Sequence, residues 1–244
     1  MRPAGRSQFS ARLAIEPPGS TRGLGTAVGH FRLEKHIAGA ALALALSGCA
    51  TSAGEATDRF IDPAIGAAYV PLSGSAYLIM EGHGAAVVIA PNVAVTNAHN
   101  DNLVARKTIV GRSTDYDLLY FRSDKTAAPA IAPPYLHEKV VAYGQGVDGS
   151  LRQAQGVVQW LDAEVVARCP KCPVQHAFIF EANAGPGFSG GPVVDAKTGK
   201  LVGIVFGFRD EDEGGIEKLM YAYDMNRVMA EWNNIRAHSA PAAQ

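Results

Sequence analysis

Beyond residue 65 the chain alternates short apolar runs with turn residues and shows no long amphipathic segment until its carboxyl end. The runs are Ala76–Met80, Ala85–Ala90, Val93–Ala98, Lys107–Val110, Leu118–Phe121, Val140–Tyr143, Gly156–Leu161, Ala177–Phe180, Pro192–Val194, Leu201–Phe206 and Leu219–Tyr223. All are of strand length, and punctuation such as Pro91-Asn92 and Thr198-Gly199 separates most of them. Many short strands with no helices between them predict an all-β protein built of antiparallel barrels or a sandwich. One helix is expected at the end. Asp224 can cap it, and Val228, Met229, Trp232 and Ile235 form an apolar stripe at helical spacing.

The amino-terminal pattern differs. Ile37–Leu46 is an unbroken apolar run of ten residues behind the basic Arg32 and Lys35. Ten residues in a helix span about 15 Å, half of a bilayer core, so the run is too short for a stable membrane span. A basic flank, a short apolar run and then small residues is the layout of a secretory signal. The run closes in Leu46-Ser47-Gly48-Cys49, which resembles a bacterial lipobox. That resemblance implies cleavage before Cys49 and lipidation of its thiol. Ala50 after the Cys, where inner-membrane lipoproteins have Asp, implies sorting to the outer membrane. The Gly-, Pro- and Arg-rich stretch ahead of the signal is long for such a leader, and translation is expected to start near Leu24 or Val28. The resulting division is a leader and signal over 1–48, a small polar tether over 49–65, a domain over 66–237 that splits into two halves near 125–138, and a tail over 238–244.

Composition narrows the partners. The 244 residues are 48% apolar and 18% charged, which is globular. The net charge of −1 hides an asymmetry, because residues 1–48 hold six Lys/Arg against two acids and the remainder is therefore net −5. An acidic body offers no electrostatic footprint for nucleic acid. Of the three cysteines, Cys169 and Cys172 form a Cys-x-x-Cys pair in a Pro-containing loop. Outside the cytoplasm such a pair is expected to close as a local disulfide. A zinc site would need four ligands where only His176 lies near as a third, and a redox pair would need a βαβ context.

The densest chemistry lies in Gly185-Pro186-Gly187-Phe188-Ser189-Gly190-Gly191-Pro192. It satisfies Gly-x-Ser-x-Gly, yet an α/β-hydrolase elbow would turn into a helix and be followed by its acid and His. Here Gly190, Gly191 and Pro192 start no helix, and the one later His is His238 in the tail. A serine nucleophile needs backbone N–H groups aimed at an oxyanion, a His base, and a carboxylate to orient the imidazole. Val95-Thr96-Asn97-Ala98-His99 ends an apolar strand on a His, and Asp115-Tyr116-Asp117 opens the next run with a carboxylate. The order along the chain is His, Asp, Ser.

These segments resemble the trypsin-like, chymotrypsin-fold serine peptidases, especially their bacterial extracytoplasmic branch. The resemblance spans roughly residues 66–235 and implies two packed antiparallel β-barrels with a carboxy-terminal α-helix. It implies His99 as base, Asp117 as orienting acid, Ser189 as nucleophile, and an oxyanion hole from the N–H groups of Gly187 and Ser189. Asp115, two residues away, is the alternative acid. By offset from the motif, Asn183, Phe206 and Phe208 fall at the specificity pocket, where Phe208 would favour small or medium apolar side chains. No metal or organic cofactor is required.

Several departures bear on activity. Phe188 stands where many animal members have an Asp that pairs with a new amino terminus, so that ion pair is excluded. Only 18 residues separate His99 from Asp117, a trimmed loop. Phe206 stands where the family commonly has a Ser bonded to the triad acid, so that support is missing or replaced. The reading is a serine endopeptidase tethered at Cys49 in the cell envelope, its partners protein substrates and a membrane. Its rival is a catalytically weak or silent copy of the fold serving as an envelope binding protein.

Overall fold

The computed structural model describes residues 53–77, 80–165, 174–210 and 218–239; Cys49, Cys169, Cys172 and the acidic run after Asp210 lie outside them. The described residues open with β1 (Glu55–Ala56) and a short helix α1 (Pro63–Ala68). It continues through β2 (Tyr69–Tyr77), β3 (Met80–Ala90) and β4 (Val93–Thr96). Two 3-10 segments, Ala98–Leu103 and Arg106–Thr108, lead to β5 (Ile109–Arg112) and β6 (Leu119–Arg122). After a strandless crossing come β7 (Lys139–Gln145), β8 (Leu151–Val165), β9 (Gln175–Ala182), β10 (Pro192–Asp195), β11 (Leu201–Asp210) and β12 (Lys218–Asp224). Helix α2 (Met225–Ser239) follows directly.

The strands form two antiparallel sheets. The first has five strands in the order β2-β3-β4-β6-β5, and the second has seven in the order β1-β8-β7-β10-β11-β12-β9, with β8 also paired to β9. That last pairing closes six strands into a barrel and leaves β1 as an outer addition. β8 makes closure possible because it pairs with β7 over Leu151–Val157 and with β9 from Gly156 to Val165, bending at irregularities around Trp160.

Three apolar clusters hold the molecule. Val140, Ala142, Phe178, Phe180, Phe188, Val193, Val205 and Met220 fill the second barrel. A patch of Ala163, Val165, Ala177, Ile179, Leu219 and Tyr221 forms its own cluster on β8, β9 and β12. The largest cluster joins the first sheet to α2 and to Tyr143, Val194, Leu201 and Tyr223 of the second, so the two halves share a core. Burying each large apolar side chain stabilises by about 1.5–3 kcal/mol, which makes this seam a strong one. Phe60 adds to it, with ring centroids 5.2 Å from Tyr69 and 4.6 Å from Tyr143.

The sequence boundaries differ from these at both ends. Within 53–65, where the sequence suggested tether, Glu55–Ala56 pairs with β8 and Phe60 is taken into the aromatic seam. Helix α2 runs to Ser239, past the expected end at Ala237. The apolar run Ala76–Met80 straddles the end of β2 and the start of β3. Most of β2 was hidden because it carries Pro71 and Gly74, which an edge strand tolerates.

Candidate active site

The base segment grows out of β4. Thr96 is fully buried, and its hydroxyl donates to the Ala85 carbonyl at 2.7 Å. The chain then turns, and Asn97 Nδ2 and the Ala98 N–H both donate to the Asp117 carbonyl, at 3.1 and 3.3 Å. Those bonds bring residue 117 beside residue 99. The His99 N–H donates to Asp117 Oδ1 at 2.9 Å, and His99 Nδ1 lies 2.5 Å from Asp117 Oδ2. Two contacts from one residue fix the carboxylate against both backbone and ring. They commit Nδ1 to donating and leave Nε2 as the nitrogen that can accept a proton.

Asp115 is not part of that pair. Residues 113–118 form an irregular bend rather than strand, so the alternation that would align Asp115 with Asp117 does not operate. Its N–H donates to Ser113 Oγ and its carbonyl accepts from Gln175 Nε2, both at 3.1 Å.

The bend has a support that the sequence did not reveal. The Asp117 N–H donates to the Tyr223 hydroxyl at 3.1 Å, and that hydroxyl donates to Gln175 Oε1 at 2.6 Å. Burial pushes the Tyr223 phenol far above its usual range, so it stays protonated and keeps donating. Phe206 stacks flat on Tyr223 with ring centroids 4.1 Å apart. At position 206 this chain therefore has a ring that holds a tyrosine, and the tyrosine holds the Asp117 backbone. Tyr223 sits near the end of β12 among aromatics and Gln175 opens β9, so neither carries a motif that would single it out.

Ser189 lies in a glycine turn between the halves. Of the N–H groups from Gly187 to Gly191, Phe188 donates to the Gly185 carbonyl (3.1 Å), Gly190 to Val205 (2.8 Å) and Gly191 to Phe188 (2.9 Å). Among the described residues the N–H groups of Gly187 and Ser189 enter no such bond. The Gly187 carbonyl is held from outside by the Gln145 N–H at 3.0 Å. Gly190 has φ +80°, and a Cβ there would collide with Ala85 O and Thr96 Oγ1. Glycine is required because the turn lies directly on the strands that precede His99.

The same contact registers Ser189 against the His99 segment. The Ser189 carbonyl accepts from the Ala85 N–H at 2.9 Å and from Asn100 Nδ2 at 3.0 Å. Asn100, one residue after His99, also donates to Thr96 Oγ1 at 3.0 Å. No hydrogen bond joins Ser189 Oγ to His99 among those of the described residues. Asn100 was legible only as one polar residue in an Asn-Asp-Asn loop.

The three residues assigned to a pocket go to different surroundings. Asn183 is exposed just past β9. Phe206 is taken up by the Tyr223 stack. Phe208 packs on the barrel interior with the Lys218 ammonium 4.6 Å from its ring centroid. His83, on β3, has both ring nitrogens buried. Among the described residues no group of three or more His, Cys, Asp or Glu could hold a metal ion, and no helix is long and apolar enough to cross a membrane.

Comparison with known proteins places this arrangement. The active form of the protease Rv3671c from M. tuberculosis superposes with a TM-score of 0.59 at 19% identity, over 75% of this chain and 86% of that one. The HtrA-type protease AlgW, solved with a tripeptide, gives a TM-score of 0.58 at 18% identity over 74% of this chain and 64% of its own. The MamO protease domain of Magnetospirillum magneticum gives 0.52 at 15%, over 68% and 96%. At these identities the likeness is one of fold. No curated protein matches the sequence. The trypsin-like peptidase domain, however, matches residues 75–204, more than half of the chain and the part that carries His99, Asp117 and Ser189. The chain belongs to the trypsin-like peptidase family and is a serine-type peptidase by that membership.

Proposed function

We propose that this chain is a serine endopeptidase acting on protein substrates through His99, Asp117 and Ser189. One observation carries the reading: a bonded His99–Asp117 pair on one half lies across from a glycine turn on the other, and among the described residues the Gly187 and Ser189 N–H groups of that turn make no backbone hydrogen bond. In the reaction, Nε2 of His99 accepts the Ser189 hydroxyl proton as Oγ attacks the scissile carbonyl. The Gly187 and Ser189 N–H groups take the negative charge on the former carbonyl oxygen, and Asp117 stabilises the imidazolium. His99 returns the proton to the leaving amine, leaving an acyl-Ser189 ester. Water, deprotonated by His99, cleaves that ester and restores the hydroxyl. The peptide bound by AlgW supports a peptide as the substrate class here.

The protein is further proposed to be lipid-anchored at Cys49 and to face the periplasm from the outer membrane. A diacylglyceryl cysteine supplies the more than one chain that stable anchoring needs. A fluorophosphonate probe tests the chemistry: it should label the wild type and not Ser189→Ala, and an unlabelled wild type would favour the silent binding protein. Detergent partitioning of the wild type, lost in Cys49→Ser, tests the anchor.

A further inference from the structure

The segment ahead of α1 touches the nucleophile turn, and nothing in the chemistry above uses it. Phe188, directly before Ser189, is fully buried. Its ring lies between two stretches of backbone that carry no side chain. On one side is Gly144 of β7, where a Cβ would come within 2.6 Å of Phe188 Cα and Cγ. On the other is Gly54, where a Cβ would lie 2.7 Å from Phe188 Cζ and 2.8 Å from the Gln153 carbonyl. The root of the ring thus rests on the barrel and its tip on the amino-terminal segment. Ala53 extends the contact, packing on the same cluster and standing 3.1 Å from where a Cβ on Gly185 would be. Glu55 and Ala56 pair with Gln153 and Arg152, and the Thr57 N–H donates to Leu151 O at 3.1 Å, which fastens the segment to β8.

We infer that residues 53–56 are a positioning strap for the nucleophile turn, holding the Gly187 and Ser189 N–H groups in place through Phe188; the inference rests on the peptidase reading. The strap meets the turn at Gly185 and at Phe188, and Gly187 between them is held from the opposite side by Gln145. The turn is therefore clamped on two faces, one of them a segment far away in sequence. An ion pair could not do this, because Phe188 has no charge. An apolar ring needs an apolar cover, and only small residues fit over its tip.

The test compares two glycines in the full chain. Gly54 has φ +75° and its nearest foreign atom is 2.7 Å from a Cβ; Gly199, in the β10–β11 turn, has φ +70° and a Cβ there lies 2.7 Å from Asp62 Cβ. Both alanine variants place a side chain at a positive φ with a first contact of 2.7 Å, but only Gly54 touches the turn. Gly54→Ala should lower kcat by about 100-fold with KM within about threefold, the signature of a misplaced transition-state contact. Amide exchange at Phe188, Gly190 and Gly191 should quicken in the same variant. Gly199→Ala should lower the melting temperature and leave kcat and that exchange as in wild type. Ala53→Glu, which adds no backbone strain, should repeat the Gly54→Ala result and covers the case in which that variant fails to fold. Wild-type kcat and exchange in Gly54→Ala, or losses matched by Gly199→Ala, would overturn the strap. Where the wild type hydrolyses nothing, the peptidase reading alone falls: quickened exchange then supports the strap, and unchanged exchange refutes it.

Discussion

The two halves position their chemical groups by different means. The middle strands β3 and β4 of the first sheet are built from small side chains, with Ala85, Ala86, Val87, Val88, Ala94 and Val95 all fully buried, and the sheet is covered by α2. It offers His99 and Asp117 from irregular segments beyond its strand ends, and both are held by side-chain hydrogen bonds. The second half is a closed barrel filled with Phe178, Phe180, Phe188 and Met220, and it holds Ser189 by backbone packing in which glycines leave no room for a side chain. Hydrogen bonds can be removed one at a time at moderate cost, whereas an excluded volume tolerates no addition. The halves should therefore fail differently.

The largest effect is expected where the halves meet in chemistry. Ser189→Ala and His99→Ala should each lower turnover by about 10⁴-fold or more, and Asp117→Asn by about 10⁴-fold through the wrong His tautomer. Steady-state hydrolysis of a peptide substrate measures all three. Activity kept in Asp117→Asn and lost in Asp115→Asn would break the assignment, against the bonding of Asp117 to His99.

Next in size is the excluded-volume half. Gly190→Ala puts a methyl group onto Ala85 O and Thr96 Oγ1 at a positive φ. Left-handed backbone and overpacking should together cost about 2–5 kcal/mol, with kcat reduced by about 100-fold or more. Chemical denaturation and turnover on the same preparation check it. A stable, active Gly190→Ala would show that the halves are not in the contact described.

A smaller effect is expected from the hydrogen-bonded half. Tyr223→Phe keeps the stack with Phe206 and removes only the hydroxyl between Asp117 N–H and Gln175 Oε1. Two buried partners lose one bond each, which should cost about 1–3 kcal/mol, and kcat should fall by about tenfold as the bend at Asp117 loosens. The His99–Asp117 contact itself survives, so the loss should stay well below that of Asp117→Asn. Equal losses in the two variants would mean that the support and the acid act as one unit.

These contrasts also explain what the sequence disclosed. His99, Asp117 and the Ser189 turn of the candidate site stood out in the sequence because chemistry restricts such types: His at a strand end, a carboxylate, and serine among glycines. The strand pattern was legible where both faces are apolar, as in Ala85–Ala90 and Leu201–Val205. What stayed hidden depends on distance in space. Tyr223 and Asp117 are 106 positions apart, Asn100 and Ser189 are 89 apart, and no local pattern joins either pair. The short helix α1 was hidden for another reason: Asp62 caps it and Pro63 opens it, but six residues are too few to display a period. The segment over Phe188 was read as tether because Ala53, Gly54 and Ala56 are small, and small residues are also what a crowded contact requires.

The smallest expected effect concerns the cover of the first half. Asp224 ends β12 and begins α2, and its Oδ1 accepts from the Arg227 N–H at 3.1 Å, a capping bond for an otherwise unsatisfied donor. Beyond that turn the helix is held by packing: Trp232 stacks on Tyr120 at 5.5 Å, and the Tyr120 hydroxyl donates to the Val228 carbonyl at 2.8 Å. Capping bonds are worth about 1 kcal/mol, and the packing beneath this one remains when it is removed. Asp224→Ala should therefore lower unfolding free energy by about 1 kcal/mol while kcat and KM stay within about twofold of wild type. Denaturant titration beside steady-state kinetics measures both. A loss of activity out of proportion to that stability change would mean that the helix does more than cover the sheet, and that the first half, like the second, carries its catalytic geometry through backbone packing.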